Sequence, residues 1–69
     1  MLKKEIGLRI SSLRSEAGLT QEGLAELSGY SVDFISLVER GVNSPSVEGL
    51  FRISKSLNVN IRELFPEHD

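Results

Sequence analysis

Four times along this chain, a residue suited to ending a helix is followed within a few positions by one suited to starting the next. The stops are Gly18, Gly29, Gly41 and Asn58. Glycine or asparagine just past a helix takes up the left-handed conformation that closes it. The starts are Thr20, Ser31, Ser46 and Asn60, each with a side-chain oxygen that accepts a bond from the free N–H groups of a first helical turn. The residue before each start and the residue four after it are apolar: Leu19 with Leu24, Tyr30 with Ile35, Pro45 with Leu50, and Val59 with Leu64. That is the spacing of a hydrophobic staple, and Asn60 with Glu63 adds the spacing of a capping box. Coinciding stops, caps and staples predict five helices, near 2–17, 21–28, 32–40, 47–57 and 61–65. Pro66 stops the last, leaving Glu67-His68-Asp69 as a frayed tail to a single domain over 1–66.

The apolar spacing agrees. Ile6, Ile10, Leu13 and Ala17 step by four, three and four in the first segment. Val47, Leu50, Ser54 and Leu57 do nearly the same in the fourth, with Phe51 and Ile53 beside the stripe. Each such series makes one apolar helix face. No segment alternates with the period of a strand, so the fold class is all-α.

At 69 residues the chain is long enough for one small core and too short for a deep enzymatic cleft. It has no cysteine, which excludes disulfides and Cys-ligated metal, and His68 stands alone. No nucleophile–base set, phosphate loop or metal spacing is present, so we expect neither an enzyme nor a bound cofactor or small-molecule ligand. Apolar runs are no longer than pairs such as Phe34-Ile35, against about 20 residues for a membrane span. Met1-Leu2-Lys3-Lys4 begins as an export signal does, but Glu5 interrupts it, and the expectation is a cytoplasmic protein with no membrane partner.

The second and third helices are joined by almost nothing. Gly29 turns the chain and Ser31 already caps the next helix. Helices joined this tightly cross steeply, at about 90–120°. The crossing needs a small residue, which Ala25 supplies, and apolar anchors, which Leu24, Tyr30, Ile35 and Val38 supply. The stretch TQEGLAELSGYSVDFISLVERG, Thr20 to Gly41, resembles the helix-turn-helix of the Cro- and lambda-repressor-like (XRE-type) family. Ile6 to Arg14 resembles that family's first helix, Pro45 to Leu57 its fourth, and Asn60 to Phe65 its fifth.

The resemblance implies a compact five-helix, lambda-repressor-like DNA-binding domain whose third helix enters the major groove. It places Gln21 at a phosphate, Ser31, Val32, Asp33, Ser36 and Leu37 toward the bases, and Arg40, Asn43 and Ser44 near phosphates. It also pairs Arg14 with Glu39. The function it implies is a sequence-specific double-stranded DNA-binding transcriptional regulator, most simply a repressor. As a homodimer it would occupy a pseudo-palindrome with half-sites about 34 Å apart. Ile61, Arg62 and Phe65 are the expected dimer interface.

A helical wheel turning about 100° per residue puts Ser31, Phe34, Ile35 and Val38 on one side of helix three. Asp33, Ser36, Leu37 and Arg40 fall on the other, with Val32 at the edge. The reading face is therefore the solvent face, but it lacks the Arg, Lys, Asn and Gln that read bases bidentately. Val32 and Leu37 suit thymine methyl groups, Ser36 suits a donor or an acceptor, and Asp33 suits either a cytosine amine or the helix dipole. The formal charge of −2 is not the usual footprint of a DNA-binding protein. We expect its distribution to compensate, with Lys3, Lys4, Arg9 and Arg14 in the first helix and Glu63, Glu67 and Asp69 at the far end. The alternative is a protein-interaction module of the same fold, an antitoxin or repressor antagonist that presents Val32, Phe34 and Leu37 to a partner. A restriction–modification controller would be a subtype of the regulator. Gly23 and Gly49, each in a first helical turn, have no evident role in the sequence.

Overall fold

The computed structural model describes residues 2–66 and contains four α-helices and a short 3-10 turn. The helices are α1 (Leu2–Glu16), α2 (Gln21–Ser28), α3 (Val32–Glu39) and α4 (Val47–Leu57); the turn is Ile61–Leu64. The expected tail Glu67–Asp69 lies outside the described residues.

Each start signal acts locally. Thr20 Oγ1 accepts from the Gly23 N–H at 2.9 Å, Ser31 Oγ from Phe34 at 3.1 Å, and Ser46 Oγ from Gly49 at 3.1 Å. The residues expected as staple partners inside the helices, Leu24, Ile35, Leu50 and Leu64, are all buried. Asn58 closes α4 at φ 61, the one described non-glycine residue in the left-handed region.

The expected fifth helix is not an α-helix. Asn60 Oδ1 accepts from Arg62 N–H at 3.0 Å, and bonds from Glu63 N–H to the Asn60 carbonyl and from Phe65 N–H to the Arg62 carbonyl close three-residue turns. Pro66 pushes its predecessor out of the helical region, and Phe65 is extended at φ −99, ψ 149. Four residues between cap and exit leave no room for α-helical bonding to establish itself, so the tighter turn results.

Packing follows from these stripes. α2 lies between α3 and α4, while α1 covers α3 and the 3-10 turn. Ile10, Leu24, Ile35, Ile53 and Leu64 are completely buried. Ser28 and Ser54 are buried too, and each donates its hydroxyl back to its own helix, to the Leu24 carbonyl at 2.8 Å and the Phe51 carbonyl at 2.7 Å. Ala17, Phe51 and Val47, expected in or beside the apolar stripes, are exposed, Val47 at 76%. Ala17 lies past the end of α1, and Val47 is the first residue of α4.

Two glycines inside helices record close approach. A Cβ at Gly7, midway along α1, would run into the carbonyl oxygens of Val38 and Glu39. At Gly49 it would run into the Tyr30 hydroxyl, which gives that position its reason. The Tyr30 ring stacks on Phe34 with centroids 4.6 Å apart, and the Arg52 guanidinium lies 4.8 Å from its centre.

Candidate nucleic-acid interface

α3 is held from one side only. Ile35, Val38 and Glu39 are buried against α1 and α2, while Ser31, Val32, Asp33 and Arg40 are exposed and Ser36 and Leu37 half-buried. Ser31 is committed through its hydroxyl to capping α3. Phe34, part of the alternative apolar patch, is half-buried and turned onto Tyr30 and the core, so that patch reduces to Val32 and Leu37.

The end of α3 is fixed by charge. Arg14 meets Glu39 through two parallel bonds, Nε to Oε2 at 2.6 Å and Nη2 to Oε1 at 3.1 Å. The remaining guanidinium nitrogen donates to the Leu19 carbonyl at 2.8 Å, just before α2. Gln21 Nε2 donates to Glu39 Oε1 at 3.0 Å. The Glu39 side chain is 5% exposed and that of Arg14 18%. Two-point pairing of this kind is among the stronger polar contacts. The hydrogen bond to Glu39 raises the Arg14 pKa above its ordinary value, against the opposing effect of burial. The network ties α1, α3 and the entrance of α2 together, and it engages the Gln21 amide that the resemblance directs to a phosphate.

The loop after α3 sits against the start of α1. A Cβ on Gly41 would stand 2.8 Å from the Lys4 Cα, and Lys3 Nζ donates to the Val42 carbonyl at 3.3 Å. The amides of Val42 and Asn43 both donate back to the Leu37 carbonyl, at 2.9 and 3.3 Å. Lys3 and Lys4 therefore sit at the loop that follows Arg40. The sequence placed the two lysines on α1 without giving their position; the glycine after Arg40, where close packing needs one, is the signal that locates them.

Of the residues in the expected separation of charge, Glu67 and Asp69 lie outside the described residues, and Arg9 and Glu63 lie side by side. Arg9 Nε donates to the Glu63 carbonyl at 2.8 Å, because α1 packs on the 3-10 turn. At the expected dimer interface Arg62 is exposed and Ile61 and Phe65 are half-buried, both packed on the core. An open groove lined by Arg9, Arg62, Glu63, Phe65 and Pro66 runs beside them. Among the described residues no group of three or more His, Cys, Asp or Glu is placed to hold a metal ion, and no helix is long and apolar enough to cross a membrane.

Comparison with known proteins gives consistent results. A family described as Helix-turn-helix matches residues 10–64. The HTH-type transcriptional regulator y4dJ of Sinorhizobium fredii is 37% identical over 68 residues, covering 99% of this chain and 88% of that protein. Some curated relatives are longer: the chain spans 33% of the HTH-type transcriptional regulator PuuR of Escherichia coli and 59% of SinR of Bacillus licheniformis. Among solved structures, the restriction-modification controller protein C.AhdI from Aeromonas hydrophila superposes with a TM-score of 0.87 at 37% identity, over 90% of each chain. The DNA-binding domain of the P22 c2 repressor superposes with a TM-score of 0.85 at 31% identity, over 93% of this chain and 84% of that one.

Proposed function

This chain belongs to the helix-turn-helix family, as a transcriptional regulator of the XRE type, and from that premise we propose that it represses transcription by occupying a specific duplex site. It acts as a homodimer in the cytoplasm, on a pseudo-palindromic operator, with α3 of each protomer in the major groove. Ser31, Val32, Asp33, Ser36 and Leu37 face base edges. Gln21, Arg40, Asn43 and Ser44 face the phosphate backbone, joined by Lys3 and Lys4. Ile61, Arg62 and Phe65 form the contact between protomers.

One observation carries this reading. The inner side of α3 is locked by Glu39 to Arg14 and Gln21, while on its outer side Val32, Asp33 and Arg40 are exposed and Ser36 and Leu37 partly so. A rod anchored along one side and accessible along the other is what a groove requires. The net charge of −2 does not oppose it, because phosphate attraction depends on the cations brought to the backbone and not on the sum.

The test is a titration against a random pool of duplexes at two salt concentrations, with sequencing of what is retained. Enrichment of a symmetric site is expected. Affinity should fall steeply with salt, with a log–log slope of about −3 per protomer if Lys3, Lys4 and Arg40 each neutralise one phosphate. Binding that neither enriches a site nor responds to salt would overturn the repressor and move the reading to the partner module.

A further inference from the structure

We infer that α3 reads its operator through the C5-methyl groups of pyrimidines, with cytosine recognised beside them, and not through purine edges. The inference rests on the regulator reading above and specifies the chemistry of the same face.

The argument begins with the side chains that are free to reach a groove. Over the first two turns of α3 they are Val32, Asp33, Ser36 and Leu37. Guanine is best read by Arg or Lys and adenine by Asn or Gln, each through two bonds to the base edge. Neither kind is present there. Of the two carboxamides nearest in sequence, Asn43 lies in the loop beyond the end of α3 and Gln21 gives a donor to Glu39. Arg40 follows α3 and lies seven residues, about 10 Å along the rod, from Asp33. Purine readout is thus missing from the part of α3 that enters a groove deepest.

What the face does offer matches pyrimidines. In the major groove thymine presents a methyl at C5, and cytosine presents its N4 amine as a donor. Val32 is 37% exposed, and Leu37 is half-buried on the same outer side. Both lend aliphatic surface to a methyl. Asp33 lies next to Val32, and its carboxylate offers acceptors only. It accepts from cytosine N4 and is repelled by the oxygen acceptors that guanine and thymine present. The operator half-site therefore carries thymine and cytosine on one strand beneath the start of α3. The shared chemistry is a methyl at pyrimidine C5, which 5-methylcytosine also supplies.

The experiment uses the site enriched from the random pool. Each thymine is replaced in turn by deoxyuridine, which removes only the methyl. Burying one methyl(ene) group is worth about 0.8 kcal/mol, or about fourfold in affinity. At least one position per half-site should lose about fourfold, and Val32→Ala or Leu37→Ala should abolish that loss. Val32 is exposed, so its variant remains informative even if the Leu37 variant is destabilised. A second arm places cytosine, then 5-methylcytosine, at the sensitive position: a gain of about fourfold on methylation extends the readout to methylated DNA, and equal binding confines it to thymine. A selected site whose affinity changes less than twofold at every thymine overturns this inference and leaves the regulator standing. So does a uracil penalty that survives both alanine variants. No enriched site at all overturns both.

Discussion

The two sides of α3 obey opposite rules. The inner side is determined several times over: Ile35 and Val38 are buried, Gly7 of α1 brings the backbones into contact, and Glu39 holds two bonds from Arg14 and one from Gln21. The outer side contributes less to the fold: the cap at Ser31, the dipole-matched acid at Asp33 and the half-buried Ser36 and Leu37. A substitution on one side should therefore change stability first, and on the other it should change recognition alone. That difference is measurable residue by residue.

The largest effect is expected at Gly7. Its added Cβ meets backbone oxygens of α3, which cannot swing away, so Gly7→Ala should cost about 3 kcal/mol, the upper part of the range for overpacking. A domain of this size has about 3–10 kcal/mol in total, so the urea midpoint should drop sharply. An unchanged midpoint would mean that α1 and α3 are not in backbone contact. Next comes Arg14→Ala, which strands Glu39 in a site that is 5% exposed and should cost about 1–3 kcal/mol, less than a fully buried pair because Arg14 retains some solvent. Pairing raises the Arg14 pKa on folding, so its contribution is complete below the unfolded value and is lost only as pH climbs through the folded one. Titration of Arg14 itself should therefore give the melting temperature no slope between about pH 6 and 9. Gly49→Ala follows at about 1–2 kcal/mol, since the obstacle there is the far end of Tyr30, which can move at the expense of its contacts with Phe34 and Arg52.

On the outer side the expectation reverses. Asp33→Asn should leave stability within about 0.5 kcal/mol. It should also shift the selected base from cytosine toward adenine, because a carboxamide pairs with adenine N6 and N7. A melting temperature moved by several degrees with unaltered base preference would erase the distinction between the two sides.

This division explains what was legible in the sequence. Caps at Thr20, Ser31 and Ser46 act on an N–H three residues away, so their spacing is written in the chain. Asn58 ends α4 for an equally local reason. The Arg14–Glu39 contact joins residues 25 apart, and only the family resemblance suggested it. Arg9 reaching the Glu63 carbonyl, Gly7 beneath α3 and Tyr30 over Gly49 depend on which helices meet and at what height, and no local pattern encodes that. The 3-10 turn was misread for a related reason: Asn60, Glu63 and Leu64 carry helical spacing, but Pro66 removes the length a helix needs. The outer residues of α3 were legible as a face from periodicity alone, and their unusual chemistry was legible because no packing requirement dictates it.

The smallest effect lies at Gly23, and its sign tests whether the start of α2 belongs to the fold or to the interface. Glycine in a helix costs roughly 0.5–1 kcal/mol relative to alanine, which favours Gly23→Ala. Against this, the new Cβ would stand 3.3 Å from Thr20 Oγ1, the oxygen that caps α2 through the Gly23 N–H. That contact is tight, but the hydroxyl belongs to an exposed side chain and the other neighbour, Leu19 Cδ2, is at an ordinary 3.6 Å. A net gain of a few tenths of a kcal/mol is expected, read as a small rise in melting temperature. If duplex affinity is unaltered in the same variant, Gly23 merely accommodates the cap. If affinity falls while the melting temperature rises, the glycine is kept so that phosphates can approach the entrance of α2, and the recognition surface extends from α3 onto α2.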